Sequence, residues 1–440
     1  MNKAHVRYVV SMVVMLFVAS LAFSTGTGEP KAGGEGEEKA TLRISAYAFI
    51  IQKFNFRELV SRFEKEHPSV KIELLTATQD ENPERNMLKW IVSKQTRSDL
   101  YIGGLSGEMS ALALSGNLID WEDFLKSGIK KDAFIASVLK EGVFENKQQS
   151  LPFYGDTLAL SVNTVMMRKA GLPVDASGKP KPAATWDELA EYAKKLTVGT
   201  LPSPSIYGLS VDVGTFDCTL TYLNTVQASR GSLFGPDGTT VDASSSEMLA
   251  FLTFCQKGVT EGWGSNGTAA DVNYGRNNLK ARLIAMIYEP ISRCNESRTA
   301  MNVGPEEIQV MAVPGQDRNG GITAAHHAYI PKMSKQPVLA KKFIAEQLLS
   351  DYCQQWAVVN FGKFPIMRSA YKGLPADPEY ATVLDLMEKS VQQPNYVDFA
   401  RFNDLVMRNV QNMMVLKQTP AEAMQKIRDG YKELNLTIVK

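Results

Sequence analysis

Apolar and polar side chains alternate through "TLRISAY", where Leu42, Ile44 and Ala46 recur at every second position, and this period predicts a strand ending at Tyr47. The period then changes. Phe56, Leu59, Val60 and Phe63 fall at helical spacing, "HP" at His67 and Pro68 closes that helix, and Val70, Ile72 and Leu74 return to alternation. A β-α-β opening follows from these switches, and "SDLYIGG" continues it as a strand ending in glycines with a helix behind it. Strands alternating with helices imply an α/β fold with mostly parallel sheets flanked by helices.

Later segments carry their own punctuation. Thr185 and Glu188 make a capping box ahead of Trp186, Leu189, Ala190, Ala193 and Leu196, and Trp186 and Trp356 both sit at core spacing. Pro337 opens a helix carrying Leu339, Ala340, Phe343 and Ile344, and Thr419 with Pro420 opens one carrying Met424, Ile427, Tyr431 and Leu434. "ARLIAMIYEP" reads as a buried strand over Leu283–Tyr288, stopped by Pro290. No internal repeat is present.

The amino terminus breaks the pattern. Lys3 and Arg7 precede the apolar run Val9 to Phe23, and Ala22 and Ser24 supply the small residues of a cleavage site, so residues 1–24 are expected to be a signal peptide directing export. That run is shorter than the ~20 residues a spanning helix needs. Residues 25–40, rich in Gly and Glu, form an expected flexible tether.

Composition removes several classes of function. Lys+Arg number 48 against 47 Asp+Glu, a formal net charge of +1, and no basic run follows the leader, so neither nucleic acid nor an anionic membrane surface is an expected partner. Cys218, Cys255, Cys294 and Cys353 are far apart without a C-x-x-C pair, so no metal site or cofactor is expected, and buried free thiols are favoured over disulfides.

Several blocks, in order along the chain, resemble one family. "FRELVSRFEKEHPSVKIEL", "SDLYIGGLSGEMSALALSGNLIDWEDFL", and above all "SLPFYGDTLALSVNTVMMRKAGLP" followed by "ATWDELAEYAKKLT" are similar to the extracellular solute-binding proteins of ABC importers, in the sugar-binding group that includes maltose-binding protein. "LKARLIAMIYEP" and "VPGQDRNGGITAAHHAYIPKMSKQPVLAKKFIAEQLLSDYCQQW" agree, although "IYEP" stands where the family has Asn-Gly-Pro-Trp. The resemblance implies a type II periplasmic-binding-protein fold of two lobes joined by crossing hinge segments. It divides the chain into 41–158 plus 328–364 for one lobe and 159–327 plus 365–440 for the other. It also implies a monomer that captures a carbohydrate in the periplasm or at the outer face of the cell envelope, delivers it to a membrane permease, and performs no catalysis.

A sugar site needs flat aromatic faces and groups that bridge paired hydroxyls, since hydrogen bonds to charged groups are worth about 1.5–3 kcal/mol. Ligands in open α/β sheets gather beyond the carboxyl ends of strands, which points to Tyr47, Tyr288 and Glu289. Asp156 stands at the first implied crossing and either accepts two hydroxyls or caps a turn. Trp263 in "EGWGSNG" is flanked by glycine and polar residues, as a ligand or surface contact would be. Arg368, at the re-entry to the second lobe, could clamp paired hydroxyls, and Asp217 could reach the cleft from a helix start. Of His326 and His327, neighbours in an extended segment, at most one can face the cleft, and His327 is the candidate. Two alternatives remain at this level: the same fold holding a different small solute, and an exported glycoside hydrolase using Asp156 and Glu289.

Overall fold

The computed structural model describes residues 40–77, 89, 93–94, 96–105, 109–214, 217–236, 240–241, 245–397, 399–434 and 436. The expected signal segment and, but for Ala40, the tether lie outside them. Strand β1 (Ala40–Tyr47) buries Leu42, Ile44 and Ala46 completely, as the alternation requires, and lies parallel between β2 (Val70–Ala77) and β3 (Leu100–Leu105). Helices α1 (Ala48–Lys53) and α2 (Phe56–Glu66) fill the first crossover, with Phe56, Leu59 and Phe63 of α2 turned into the core. A short hairpin, β4 (Val143–Phe144) and β5 (Lys147–Gln148), turns on Glu145 and Asn146, both at positive φ as a two-residue hairpin turn demands.

The long strand β6 (Leu151–Asn163) is buried along its whole length and belongs to both sheets. Its first half pairs antiparallel with β11 (Ile322–Tyr329), which in turn pairs with β3. Its second half pairs antiparallel with β9 (Met286–Pro290) and β10 (Ile308–Met311). Beyond β9, β7 (Leu209–Val211) and β8 (Gly264–Ser265) are added parallel, and β12 (Val391–Gln392) pairs with the start of β11.

Two large apolar cores result. Helices α3 (Trp186–Leu196), α4 (Asp217–Arg230) and α5 (Ser246–Glu261) feed the second core. Helices α6 (Tyr274–Lys280), α7 (Ser292–Met301), α8 (Asp351–Phe361) and α9 (Pro378–Lys389) feed the first, and α10 (Phe399–Met414) and α11 (Pro420–Leu434) return to the second. Strand period decides membership locally: Ile308 and Val310 face the first core, and Met311, one position on, the second. Ile366 to Met387 also pack into the first core, whereas the resemblance assigns 365–440 to the second lobe.

The helix starts follow their sequence signals. Thr185 Oγ1 accepts the Glu188 N–H at the head of α3, and at the head of α11 Thr419 and Glu422 accept each other's backbone N–H. The strand expected over Leu283–Tyr288 begins later, at Met286, because Arg282 adopts positive φ and Leu283 is turned outward. All four cysteines are buried and free. No described helix is long and apolar enough to cross a membrane.

Candidate functional site

Side chains two apart on a strand share a face, so Tyr154 and Asp156 of β6 point the same way, at the place where β6 passes from the first core to the second. Asp156 Oδ1 accepts the backbone N–H of Thr157 (3.0 Å) and of Ser292 (3.2 Å), the first residue of α7. A carboxylate at a helix start satisfies an N–H that lacks an intrahelical partner and faces the positive end of the helix dipole. Burial nevertheless raises the Asp156 pKa, against the pull of nearby Lys363.

A chain of charges runs on from Asp156. Lys363 Nζ donates to Ser292 Oγ (3.0 Å) and pairs with Glu296 (3.4 Å); burial lowers its pKa to about 8, partly opposed by Glu296. Glu296, one turn into α7, also holds Lys53 at the end of α1 and Arg293 Nη1 (2.9 Å). Burial would raise the Glu296 pKa, but Lys363, Arg293 and Lys53 together hold it well below the usual carboxylate range. Further along, Arg276 of α6 donates to Asp212 (2.6 Å) and Asp217 (2.8 Å) and reaches Glu289 (3.4 Å). Glu289, fully buried, also accepts from Ser161 Oγ (2.8 Å), and burial pushes its pKa up to about 7. Arg293 lies between the two halves of this network. Burial pulls its pKa down, but Glu296, Asp217 and Glu289 more than offset that and hold it above the ordinary value.

Aromatic rings border the charges on the first-lobe side. The Tyr154 ring stacks on His326 (5.0 Å between centroids, 17° between planes), His326 meets the edge of Phe49 (5.5 Å), and Phe49 stacks on Tyr47 (5.8 Å). Gly103 makes room for Tyr47: a Cβ there would lie 2.6 Å from Tyr47 Cδ2, and φ is +139°.

Of the eight residues singled out in the sequence, Asp156, Asp217 and Glu289 join one network, and Tyr47 backs the adjoining aromatic tier. The other four lie elsewhere. Trp263 is enclosed in the second core against Phe254, its Nε1 donating to Glu261 (2.8 Å). A glycine of α5 makes room for it, since a Cβ on Gly258 would come within 2.8 Å of the indole. Tyr288 is buried, its hydroxyl held by Asn224 (2.8 Å) and Thr225 (3.2 Å). Arg368 grips Glu388 with two nitrogens and gives a third to the carbonyls of Asp132 and Phe134. His327 is fully buried, Nδ1 against Ser150 Oγ (2.9 Å) and Nε2 3.8 Å from Glu141; its neighbour His326, the cross-strand partner of Tyr154, faces the tier instead. Sequence reading missed Lys53, Tyr154, Arg276, Arg293, Glu296 and Lys363. The signal for Arg293 is its place just behind the "EP" that departs from the family pattern.

Two groupings could suggest other chemistry. Glu66, His67 and Glu346 bring three metal-ligand atoms together on the first lobe, but His67 Nε2 is already bonded to Glu346 (2.6 Å) and Glu66 to Gln347 (3.0 Å). Ser150, His327 and Glu141 combine the residue types of a nucleophilic triad, yet all three are fully enclosed.

A long strand shared by two sheets, two cores and a charged seam between them define a two-lobed α/β binding fold. The chain belongs to the bacterial extracellular solute-binding protein family, whose model matches residues 55–351. Among solved structures it is similar to the sugar-binding protein MalE from Xanthomonas citri (TM-score 0.75, 17% identity, covering 90% of this chain and 97% of that one). It is likewise similar to a solute-binding protein from Thermotoga lettingae bound with alpha-D-tagatose (0.73, 21%, 90% and 99%) and to the substrate-binding protein Lmo0181 from Listeria monocytogenes in complex with cycloalternan (0.72, 18%, 90% and 99%). No curated protein matches.

Proposed function

We propose that the protein is exported, encloses a carbohydrate between its lobes at this seam, and passes it unchanged to the permease of an ABC-type importer. The observation that carries the reading is the mutual pairing of charge. Lys53, Asp217, Glu296 and Arg293 each keep part of the side chain in solvent (20, 19, 26 and 32%), and each is already matched by an opposite charge. An ionic solute finds no uncompensated partner among them. A neutral polyol can instead hydrogen-bond to charged groups, at about 1.5–3 kcal/mol each, without adding net charge to the seam. The rings of Tyr154, His326 and Phe49 supply the apolar side that sugar faces require. The saccharides bound in similar folds favour the same ligand class.

Binding without turnover is favoured by the placement of the carboxylates. Glu289 is locked between Ser161 and Arg276 with no exposed surface, so it is not open to a glycosidic oxygen as hydrolysis needs. A solute touching both lobes makes more contacts when they are closed and shifts that equilibrium by its difference in affinity.

The test is thermal unfolding with cycloalternan, maltotriose and D-tagatose, set beside amino acids, peptides and polyamines. A saccharide is expected to raise the melting temperature and to be recovered intact. Asp156→Asn keeps an acceptor for the Ser292 N–H but removes the charge, and is expected to weaken saccharide binding by about 1.5–3 kcal/mol. Stabilisation by charged solutes alone, or cleavage of the sugar, overturns the reading.

A further inference from the structure

The two histidines of β11 sit in different surroundings, and only His326 reaches solvent. His327 is enclosed and its Nδ1 bonded to Ser150, whereas His326 keeps partial exposure and neither of its ring nitrogens has a hydrogen-bond partner among the described residues. A polar group left unpaired in a largely buried position is costly unless something completes it. The surroundings supply stacking rather than pairing. One face of the imidazole lies on Tyr154, its flank meets Phe49, and the strand register sets it on the same side of the sheet as Asp156, near Lys363. Burial, with Lys363 and His327 adding to it, lowers its pKa to about 3, so the ring is uncharged at neutral pH, with one nitrogen donating and the other accepting.

We propose that His326 contacts the bound solute directly, offering a ring nitrogen to a sugar hydroxyl while Tyr154 and Phe49 hold its plane, so that it determines which hydroxyl arrangement the first lobe accepts. This rests on the carbohydrate reading and goes beyond it by naming a specificity-determining residue. An uncharged imidazole suits that task because it both donates and accepts, as a hydroxyl does, without disturbing the charge balance at Lys363. Phe49, set between His326 and Tyr47, is half-buried where Tyr47 and Tyr154 are buried, and is the ring beside His326 that a sugar face can meet.

The experiment uses the full chain with cycloalternan, maltotriose and D-tagatose as probes. His326→Phe keeps the ring and the stack but removes both nitrogens. Its affinity for whichever probe stabilises the wild type is expected to fall about tenfold, one hydrogen bond's worth, with the sugar-free melting temperature unchanged. In the wild type, imidazole nitrogen resonances of His326 are expected to move on adding that probe while those of His327 stay fixed, and this readout holds even if the variant fails to fold. Equal affinity in His326→Phe, or unmoved His326 resonances with sugar bound, overturns this proposal and leaves the carbohydrate reading standing. Stabilisation by none of the three probes removes both.

Discussion

Arg293 and Arg298 stand on the same ten-residue helix and do opposite things. Five positions apart, they point about 140° away from each other around the helix axis. Arg298 is 5% exposed; it gives Nε to the Ile308 carbonyl (2.7 Å) and Nη1 to Asp377 (2.8 Å), and it pairs with Glu379. Asp377 in turn caps α9 by accepting the Glu379 N–H (2.8 Å). This cluster fastens α7, β10 and α9 into one body. Arg293, 32% exposed, pairs with Glu296 and lies in the field of carboxylates from the second lobe. One guanidinium is consumed by the scaffold, and the other keeps donors available where two lobes meet. The contrast teaches that the seam-facing side of α7 is backed by a rigid opposite side.

Breaking the buried cluster should give the largest effect. Arg298→Met leaves Asp377 and Glu379 buried without their counter-charge, and removing one partner of such a group typically costs about 3–5 kcal/mol. The expected result in denaturant unfolding is a loss of that size, with saccharide affinity measured below the transition unchanged. Wild-type stability in this variant would sink the assignment of Arg298 as a scaffold residue.

Arg293→Met should reverse the balance. Glu296 keeps Lys53 and Lys363, and Asp217 keeps Arg276, so no carboxylate is orphaned and the loss of stability should be smaller than in Arg298→Met. Affinity for the saccharide should fall by about 1.5–3 kcal/mol in calorimetry. If stability drops as far as in Arg298→Met while affinity holds, the two arginines are alike and the distinction fails.

These residues also mark how far the sequence alone could be read. The alternation at Leu42, Ile44 and Ala46 and the capping box at Thr185 are local signals, and local geometry realises them. Asp156 was legible from its place at the first implied crossing; in the fold it lies within β6 rather than at a turn, and its carboxylate meets the Ser292 N–H at the seam. Lys53, Arg293 and Lys363 look like ordinary surface charges in the sequence, and only the folded backbone brings them to one carboxylate, Glu296. Trp263 misled because glycine serves both as a loop former and as the space a buried indole needs. The histidine pair was correctly expected to split between two sides, but which side each takes is set by the strand register, a non-local quantity.

The subtlest difference between the two regions is in their response to pH. Burial raises Glu379 from 4.5 to about 7, with Arg298 opposing and Asp377 reinforcing the shift. Between those values the native protein holds a proton that the unfolded chain has released, so stability falls as pH rises. The contribution of Glu379 is therefore fully present below about 4.5 and gone once pH has passed about 7. Glu296 at the seam has the opposite sign, because its lowered pKa contributes stability at neutral pH that is lost as pH falls below the usual carboxylate range. Glu379→Gln, neutral at every pH, should flatten the decline in stability between pH 4.5 and 7, leaving the residual slope of Glu289, also raised to about 7, and of Asp212, raised to about 6. Glu296→Gln should lower stability at neutral pH and reduce the loss on acidification. Urea unfolding of both variants, followed from below the usual carboxylate range up to about pH 7, separates them: slopes that change in the same direction would mean that the scaffold cluster and the seam are not electrostatically distinct.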